Sequence, residues 1–268
     1  MVYLLDQMTK EYRMREGVLR AVDELSLSVK RGERLALIGK SGAGKTTLFR
    51  LLNATLRPTH GRLLFDGQEV GRMSSRELRA MRRRVGTVYQ QHYLVPSLSV
   101  LDNALCGRLS HWSFWQTARS IIRPSRLDVE QAEHVLEQVG LSEKLRERAD
   151  ALSGGQQQRL AIARALVQQP EVILADEPVA SLDPGLADSI MNLLHTVADE
   201  GGQTLLVALH NVELALSYFP RIVALRGGAL AFDAEAASLS RDALQEFYLD
   251  ERAPAGGRSE KEWRQTTA

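Results

Sequence analysis

The chain has 268 residues, of which 44% are hydrophobic and 25% are charged, a composition that fits a globular protein with one substantial core. A formal net charge of +1 does not favour nucleic acid or acidic lipid as a partner, and the single cysteine, Cys106, excludes a disulfide scaffold and fits a reducing compartment. Neither a signal-peptide pattern nor an apolar run long enough to cross a bilayer occurs in the sequence, so we expect any membrane role to depend on partners.

The first part of the chain predicts antiparallel strands around a buried strand and a helix. Alternating apolar residues at 25–29 and the segment 61–66 before a turn glycine are typical of antiparallel strands. Between them, the run 35–38 lacks polar alternation, which favours a strand covered on both faces. The segment 45–56 has a helical pattern that stops before Pro58.

Residues 39–46, GKSGAGKT, lie between that buried strand and that helix and match the pattern of a phosphate-binding loop. Glycines let the backbone turn sharply, so that N–H groups can point at phosphate oxygens near the positive end of a helix. We expect Lys45 to reach the β- and γ-phosphates, Thr46 to ligate Mg²⁺, and Thr47 to add a phosphate contact. The nucleotide contacts predicted here are Gly39, Lys40, Ser41, Gly42, Ala43, Gly44, Lys45, Thr46 and Thr47. A glycine-rich turn with a chance lysine is the alternative.

The middle of the chain predicts helices. Residues 91–150 lack strand signals, and one helix is predicted over 128–139. Before them, the basic run 79–84 is predicted to be a solvated helix face. Apolar residues at steps of three indicate either a core-facing helical stripe or a docking surface for a membrane partner. This stripe comprises Trp112, Trp115, Ala118 and Ile121.

Residues 152–156, LSGGQ, predict the start of a helix that Ser153 caps. Gly154 and Gly155 are poor helix formers, and they leave the helix N-terminus bare, which favours the close approach of an anion. An ordinary capped helix start is the alternative.

Residues 172–177, VILADE, predict a buried strand that ends in two carboxylates. Because ligands bind at the carboxyl edge of a parallel sheet, we expect both side chains to lie beside the phosphate loop. Asp176 is expected to hold Mg²⁺, and Glu177 to polarise the attacking water as general base. The alternative is a strand with a solvated acidic end.

The last part of the chain continues the alternation of helices and strands. A helix is predicted over 185–199, a buried strand over 205–209, and a hairpin over 222–233 around two glycines. The polar residues 253–268 predict a disordered tail. The alternation of buried strands and helices indicates an α/β core with a parallel sheet.

In their order and spacing, GKSGAGKT, LSGGQ and VILADE resemble the ATP-binding subunits of ABC transporters, over residues 3 to about 247. The resemblance implies an α/β P-loop NTPase core with a mainly parallel sheet, an antiparallel β subdomain, and a helical subdomain inserted at about 91–165. It implies that Tyr12 stacks on adenine, that Gln90 links the helical subdomain to Mg²⁺ and the attacking water, and that His210 contacts the γ-phosphate.

The resemblance also implies a mechanism and a set of partners. Two copies face each other head to tail, and each ATP lies between the phosphate loop of one copy and the LSGGQ of the other. The implied contacts across the dimer are Ser153, Gly154, Gly155, Gln156 and, within the segment SLD at 181–183, Asp183. Two membrane permease subunits and an extracytoplasmic substrate-binding protein complete the assembly, without nucleic acid. The chain would lie at the cytoplasmic face of the cell membrane, the inner membrane where there are two.

Further segments resemble the phosphonate-import subgroup of this family. They are ADEPVASLDP, LSGGQQQR and CGRLSHWSFWQTARSIIRP, together with FYLDE near residue 250. Phosphonate is therefore the expected cargo, with phosphite, phosphate and other oxyanions left open. An accessory ATPase of a cytosolic complex, such as carbon–phosphorus lyase, is a second hypothesis. An ABC-type ATPase that acts on nucleic acid ranks last, because the chain lacks coiled-coil or zinc-binding insertions.

Overall fold

The computed structural model describes residues 1–15, 17–110, 124–180, 182–241, 244, 247 and 248. They form two compact units: the first comprises residues 1–78 and the described residues from 204 onward, and the second comprises residues 79–203. The tryptophan stripe, Ser181 and the predicted tail lie outside the described residues. Within the described part of the chain, no helix is both long enough and apolar enough to span a membrane.

The strands, in chain order, are β1 (Tyr3–Met14), β2 (Gly17–Val29), β3 (Arg34–Ile38), β4 (His60–Phe65), β5 (Gln68–Glu69), β6 (Val85–Val88), β7 (Val172–Asp176), β8 (Thr204–Leu209), β9 (Arg221–Arg226) and β10 (Ala229–Glu235). The α-helices are α1 (Lys45–Leu52), α2 (Ser75–Arg83), α3 (Val100–Leu105), α4 (Arg126–Gln138), α5 (Gly154–Val167), α6 (Pro184–Glu200) and α7 (Val212–Tyr218). The strands predicted at 25–29, 35–38, 61–66, 172–175 and 205–209, and the hairpin at 222–233, are confirmed.

The first unit contains an antiparallel sheet with the strand order β2-β1-β4-β5. Its inner face is apolar, as the alternation in β2 predicts, and Leu25, Leu27 and Val29 are buried. The rings of Tyr3 and Phe65 meet in this core with their centroids 5.2 Å apart. The predicted antiparallel β region is therefore present.

The first unit also contains a parallel arrangement that carries the phosphate loop. Strand β3 pairs in parallel with β8 on one side and with β9 on the other, and β10 pairs antiparallel with β9. Every residue of β8 and residues 35–38 of β3 are buried, as continuous apolar runs predict. Ile38 is in register with Leu209, so the residues that follow these two strands emerge at the same edge.

Helix α1 is shorter than predicted, because it ends at Leu52 rather than at residue 56. Ala54 adopts a left-handed backbone with φ 56°, and the Leu56 N–H donates to the Arg50 carbonyl at 2.8 Å. The Asn53 side chain accepts from the Thr55 N–H at 3.0 Å, which stabilises this reversal. The apolar pattern continues through the turn, which is why it predicted a longer helix.

The second unit contains the parallel pair β6 and β7 and the helices α3 to α6. Helix α4 confirms the helix predicted over 128–139, and α6 confirms the one predicted over 185–199. In α4, Ser125 caps the first turn, and Ala132 and Leu136 are fully buried. Packing of α3 with α4 and α5 builds the helical part of this unit.

The basic run at 79–84 is only partly a solvated helix face. Arg79 and Arg82 are exposed on α2, as predicted. Arg84 lies beyond the helix, and its guanidinium forms two hydrogen bonds with the Glu171 carboxylate, at 2.5 and 2.8 Å. This bidentate pair ties the start of β6 to the start of β7, which is a structural role.

Candidate functional site

The phosphate loop, residues 39–46, follows β3 and needs glycine for steric reasons. Gly39 and Gly44 have φ angles of 154° and 102°. A Cβ at Gly39 would lie 2.5 Å from the Leu225 carbonyl oxygen, and one at Gly44 would lie 2.2 Å from the Ala21 carbonyl oxygen. Only glycine therefore allows the backbone to pass so close to its neighbours.

Lys45 begins α1 and is folded back onto the loop. Its side chain is 5% exposed, and its Nζ donates to the carbonyls of Gly39 at 2.6 Å and Lys40 at 3.2 Å. The same Nζ lies 3.4 Å from Nδ1 of His210, the residue that follows β8. The in-register ends of β3 and β8 thus bring together two of the predicted γ-phosphate contacts.

The other loop residues line an accessible surface. No described side chain caps α1 at Gly44, so the first-turn N–H groups are not taken by a cap. Lys40, Ser41, Gly42 and Thr46 are exposed, Gly39 and Ala43 are buried, and Gly44 and Thr47 are intermediate. Such a bare helix start at a glycine-rich turn is suited to bind phosphate oxygens.

Tyr12 lies on the same unit at a distance suited to the base of a nucleotide. It pairs with Leu19 of β2, and the Lys10 ammonium lies 5.6 Å from the centroid of its ring. Strand β2 passes the phosphate loop at Ala21, two residues from Leu19, or roughly 7 Å along the strand. Tyr12 lies one strand spacing further, about 5 Å. A ribose and base would span this separation.

The second unit places three predicted chemical groups at one edge of the β6–β7 pair. Val88 is in register with Ala175, so Gln90, Asp176 and Glu177 come at or just after the carboxyl ends of these strands. Asp176 is 6% exposed, whereas Gln90 is exposed.

Glu177 has a left-handed backbone with φ 52°, although it is not glycine. Residues held in such regions cost about 1–3 kcal/mol and cluster at functional sites. The turn after β7 therefore has a backbone conformation that an ordinary strand end would not have.

The LSGGQ segment forms the start of α5. Ser153 is the N-cap: its Oγ accepts from the Gln156 N–H at 3.4 Å, and the Gln156 Oε1 accepts from the Ser153 N–H at 3.0 Å. This capping box confirms the predicted cap. The two glycines differ, because a Cβ at Gly154 would meet nothing within 4 Å, whereas one at Gly155 would lie 2.6 Å from Leu186 Cδ2. The packing of Leu186 thus explains the glycine at position 155, whereas the space beside Gly154 is open.

Asp183 also has a clear structural role in the second unit. It is the N-cap of α6, and its Oδ1 accepts from the Leu186 N–H at 3.0 Å. Leu186 is the residue that packs on Gly155. The predicted interface aspartate and the predicted anion-binding helix start are therefore linked through one side chain.

Arg164 of α5 was not predicted, yet it fixes the segment after Gln90. Its guanidinium donates to the carbonyls of His92 and Tyr93, both at 2.5 Å. Burial lowers the pKa of Arg164, and burial also lowers the pKa of His92. The one sequence signal that could have indicated this role is the presence of an arginine in the apolar run LAIARAL. Helix α5 thus carries LSGGQ at its start and holds the glutamine segment from its last turns.

The predicted Mg²⁺ ligands are all oxygen donors: the hydroxyl of Thr46, the amide of Gln90 and the carboxylate of Asp176. Mg²⁺ prefers such hard oxygen ligands and is commonly held by few protein groups plus substrate phosphates. Among the described residues there is no cluster of three or more His, Cys, Asp or Glu side chains that would make an all-protein metal cage. Each of these donor types therefore suits an ion that arrives with a nucleotide.

Comparisons with known proteins agree with this geometry. The family model described as "ABC transporter" matches residues 22–180. The chain is 43% identical over 247 residues to the phosphonates import ATP-binding protein PhnC 1 of Rhodopseudomonas palustris, covering 92% of this chain and 89% of that protein. It is 47% identical over 239 residues to PhnC of Anaeromyxobacter dehalogenans, covering 89% of this chain but only 47% of that longer protein.

Solved structures show the same relationship. The dimeric structure of MJ0796, a bacterial ABC transporter cassette, matches with a TM-score of 0.77 and 31% identity, covering 87% of this chain and 98% of that chain. A dimeric post-hydrolysis state of the same cassette, bound to ADP and Pi, matches with a TM-score of 0.75. The chain therefore belongs to the ABC transporter family, as one of its ATP-binding cassettes.

Proposed function

We propose that this chain hydrolyses ATP to drive the import of phosphonate or a related oxyanion. The observation that carries the proposal is the position of Lys45, whose Nζ lies 2.6 Å from the Gly39 carbonyl and 3.4 Å from His210 Nδ1. A lysine and a histidine converge there at a bare helix start, which is an arrangement for the terminal phosphate of a nucleotide. The names of the relatives supply the cargo class.

The first unit would bind the nucleotide. The base stacks on Tyr12, and the phosphates lie in the loop, where their oxygens accept hydrogen bonds from backbone N–H groups. Lys45 turns from the loop carbonyls to the β- and γ-phosphates, and His210 contacts the γ-phosphate. This division is supported by the exposure of Thr46 and by the missing side-chain cap among the described residues at Gly44.

The second unit would supply the hydrolytic groups. Glu177 polarises the attacking water as general base, and its left-handed backbone supports this role. Gln90 and Asp176 of this unit, and Thr46 of the first unit, are each proposed as Mg²⁺ ligands. The ion, when bound, neutralises charge that develops on the phosphate oxygens. The protein residues themselves orient the water and hold the phosphates.

Two copies would share each ATP head to tail. Ser153, Gly154, Gly155 and Gln156 of one copy would contact the γ-phosphate held by the other, and Asp183 would cross the interface. The open face at Gly154 supports this arrangement, because a backbone N–H can approach an anion there without steric hindrance. The dimeric cassette of similar fold supports it independently.

The proposed partners are two membrane permease subunits and an extracytoplasmic substrate-binding protein, with the chain at the cytoplasmic face. To test this, the tagged chain is purified from its own cells in mild detergent, and growth is measured with a phosphonate or with phosphate as the phosphorus source. We expect a permease to co-purify, and we expect Glu177→Gln cells to fail on phosphonate alone. Co-purification with a soluble enzyme complex and no permease would contradict import.

A further inference from the structure

We propose that Tyr248 is a positioning residue that holds the phosphate loop ready for nucleotide, an inference that rests on the nucleotide binding proposed above. The Gly39 N–H donates to the Tyr248 hydroxyl at 3.1 Å, across 209 residues of sequence. The phosphate-loop pattern does not include this tyrosine, which belongs to the segment FYLDE; the resemblance of that segment assigns it no role. It acts through Gly39 and not on the phosphates themselves.

Both backbone polar groups of Gly39 are hydrogen-bonded, so the peptide units on either side of its Cα are both held. Its N–H is bonded to Tyr248, and its carbonyl accepts from Lys45 Nζ at 2.6 Å. Gly39 is buried, and its φ of 154° lies in a region that glycine adopts readily and other residues do not. Rotation at this hinge would displace every loop residue that follows it. When Lys45 turns to a phosphate, the bond to Tyr248 remains as the restraint on Gly39.

The rest of the loop is not fixed by close packing on this side. A cavity of about 320 Å³ is lined by loop residues 40–43, the turn at 225–227 and Phe247. Residues 40–42 of the loop are exposed. Hydrogen bonds therefore hold the loop: those of Gly39 at its start, and further along the Ala43 N–H to the Lys40 carbonyl and the Gly228 N–H to the Ala43 carbonyl, both at 3.1 Å.

Tyr248 adjoins a packed aromatic residue, Phe247. The neighbouring Phe247 is 3% exposed, and its carbonyl accepts from Arg226 Nη2 at 2.8 Å. The Arg226 guanidinium lies 4.5 Å from the Phe247 ring centroid, a cation–π distance. The Phe247 ring meets Phe232 at 5.4 Å and Tyr248 at 5.6 Å, both edge-on. The hydroxyl that accepts from Gly39 is therefore carried by a packed aromatic cluster.

The expected consequence is a change in affinity through preorganisation. Loss of the hydroxyl removes one of the two hydrogen bonds that hold Gly39, so a smaller fraction of molecules has the loop in its binding form. Apparent affinity falls in proportion to that fraction. One hydrogen bond of ordinary strength corresponds to a loss of about threefold to tenfold. The turnover number at saturating ATP should not change, because the bound phosphates restore the loop.

The test compares Tyr248→Phe with Tyr3→Phe, measuring ADP affinity by calorimetry and KM and kcat for ATP. Tyr3 is a matched control, since it is buried in the same unit and donates one hydrogen bond, to the Leu52 carbonyl at 3.0 Å. We expect Tyr248→Phe to weaken ADP binding and raise KM about threefold to tenfold with kcat unchanged. Tyr3→Phe should lower thermal stability without changing affinity.

Hydrogen exchange of the Gly39 amide in the nucleotide-free protein gives a second readout. It should be faster in Tyr248→Phe and unchanged in Tyr3→Phe. Wild-type ADP affinity in Tyr248→Phe, or unchanged Gly39 exchange, would overturn the inference and leave the proposed function standing. Equal weakening by both variants would also overturn it, because the effect would then be general destabilisation. A wild-type chain that binds no nucleotide would overturn the proposed function and this inference together.

Discussion

The two compact units contribute different kinds of groups to the proposed chemistry. In the first, the phosphate loop is built by backbone: Gly39 and Gly44 pass within contact distance of neighbouring carbonyls, and Lys45 is folded in. In the second, Ser153 and Asp183 already serve as helix caps. The first unit is the one we propose to bind phosphate, and the second carries the capped helix starts and strand ends that we propose to act in hydrolysis and dimerisation.

This difference predicts which property a substitution in each unit should impair: nucleotide affinity, hydrolysis or dimerisation. Changes in the first unit should weaken nucleotide binding, because the residues proposed to hold the base and the phosphates lie in that unit. Changes in the second unit should leave binding intact and reduce hydrolysis or dimerisation. A first-unit variant that loses only hydrolysis, or a second-unit variant that loses ATP affinity, would contradict this division.

The largest effect is expected for Glu177→Gln in the second unit. Loss of a positioned general base typically lowers the rate about 10²–10⁴-fold, while ATP affinity should remain near wild type. Steady-state hydrolysis and calorimetry measure the two quantities, and gel filtration should show a dimer trapped by ATP. Glu200→Gln, at the end of α6, is the control and should hydrolyse normally. Near-normal turnover in Glu177→Gln would remove the general base from the proposal.

Lys45→Ala, in the first unit, should bind ATP with lower affinity. A charged hydrogen bond to phosphate is worth about 1.5–3 kcal/mol, so affinity should fall about 10- to 100-fold. The control is Lys144→Ala, which removes a lysine paired with Glu147 in the second unit. Calorimetry with ATP should detect no change in the control. Unchanged affinity in Lys45→Ala would contradict the loop's assignment.

Alanine substitutions at the two glycines of LSGGQ should have different effects. Gly155→Ala pushes a methyl group against Leu186, and such overpacking should lower the free energy of unfolding by about 1–3 kcal/mol. Gly154→Ala has open space, so it should keep or slightly raise stability and still weaken ATP-driven dimerisation. Thermal unfolding and gel filtration measure both effects. Full dimerisation by Gly154→Ala would indicate that this open face contacts nothing.

The smallest effect is expected for Arg164→Lys. Lysine cannot reproduce the planar fork that bonds the carbonyls of His92 and Tyr93, so one hydrogen bond is lost and the rate should fall about threefold to tenfold. ATP affinity should not change. Arg148→Lys is the control, since Arg148 forms an exposed pair with Asp150 in the same unit. A loss of ATP affinity in Arg164→Lys would contradict the division of roles between the two units.

Much of the fold and of the candidate site follows from local sequence patterns. The buried strands, their helices and the cap at Ser153 are encoded by residues close together in the chain, so periodicity and capping chemistry predict them. Helix α1 was predicted too long because the reversal at Ala54 has no glycine or proline to mark it.

The remaining features depend on contacts between distant residues. The bond from Gly39 to Tyr248, the packing of Leu186 on Gly155 and the grip of Arg164 on two carbonyls each join separate segments. No window of sequence contains both partners, and two of the three involve backbone atoms that every residue possesses. No local pattern relates the two segments that each contact joins, which is why only the structure reveals the contacts.

The most direct test of the account mixes Ser153→Arg with Lys45→Ala and measures ATP-driven dimerisation and hydrolysis. Ser153→Arg alone should bind ATP but fail to dimerise, because a bulky cation replaces the cap at the helix start. If two copies share each ATP, the mixed dimer has one site with both motifs intact and one with both broken. We expect the mixture to recover ATP-driven dimerisation and part of the hydrolysis. A mixture that stays inactive, or a monomeric Ser153→Arg that hydrolyses ATP at the wild-type rate, would contradict it.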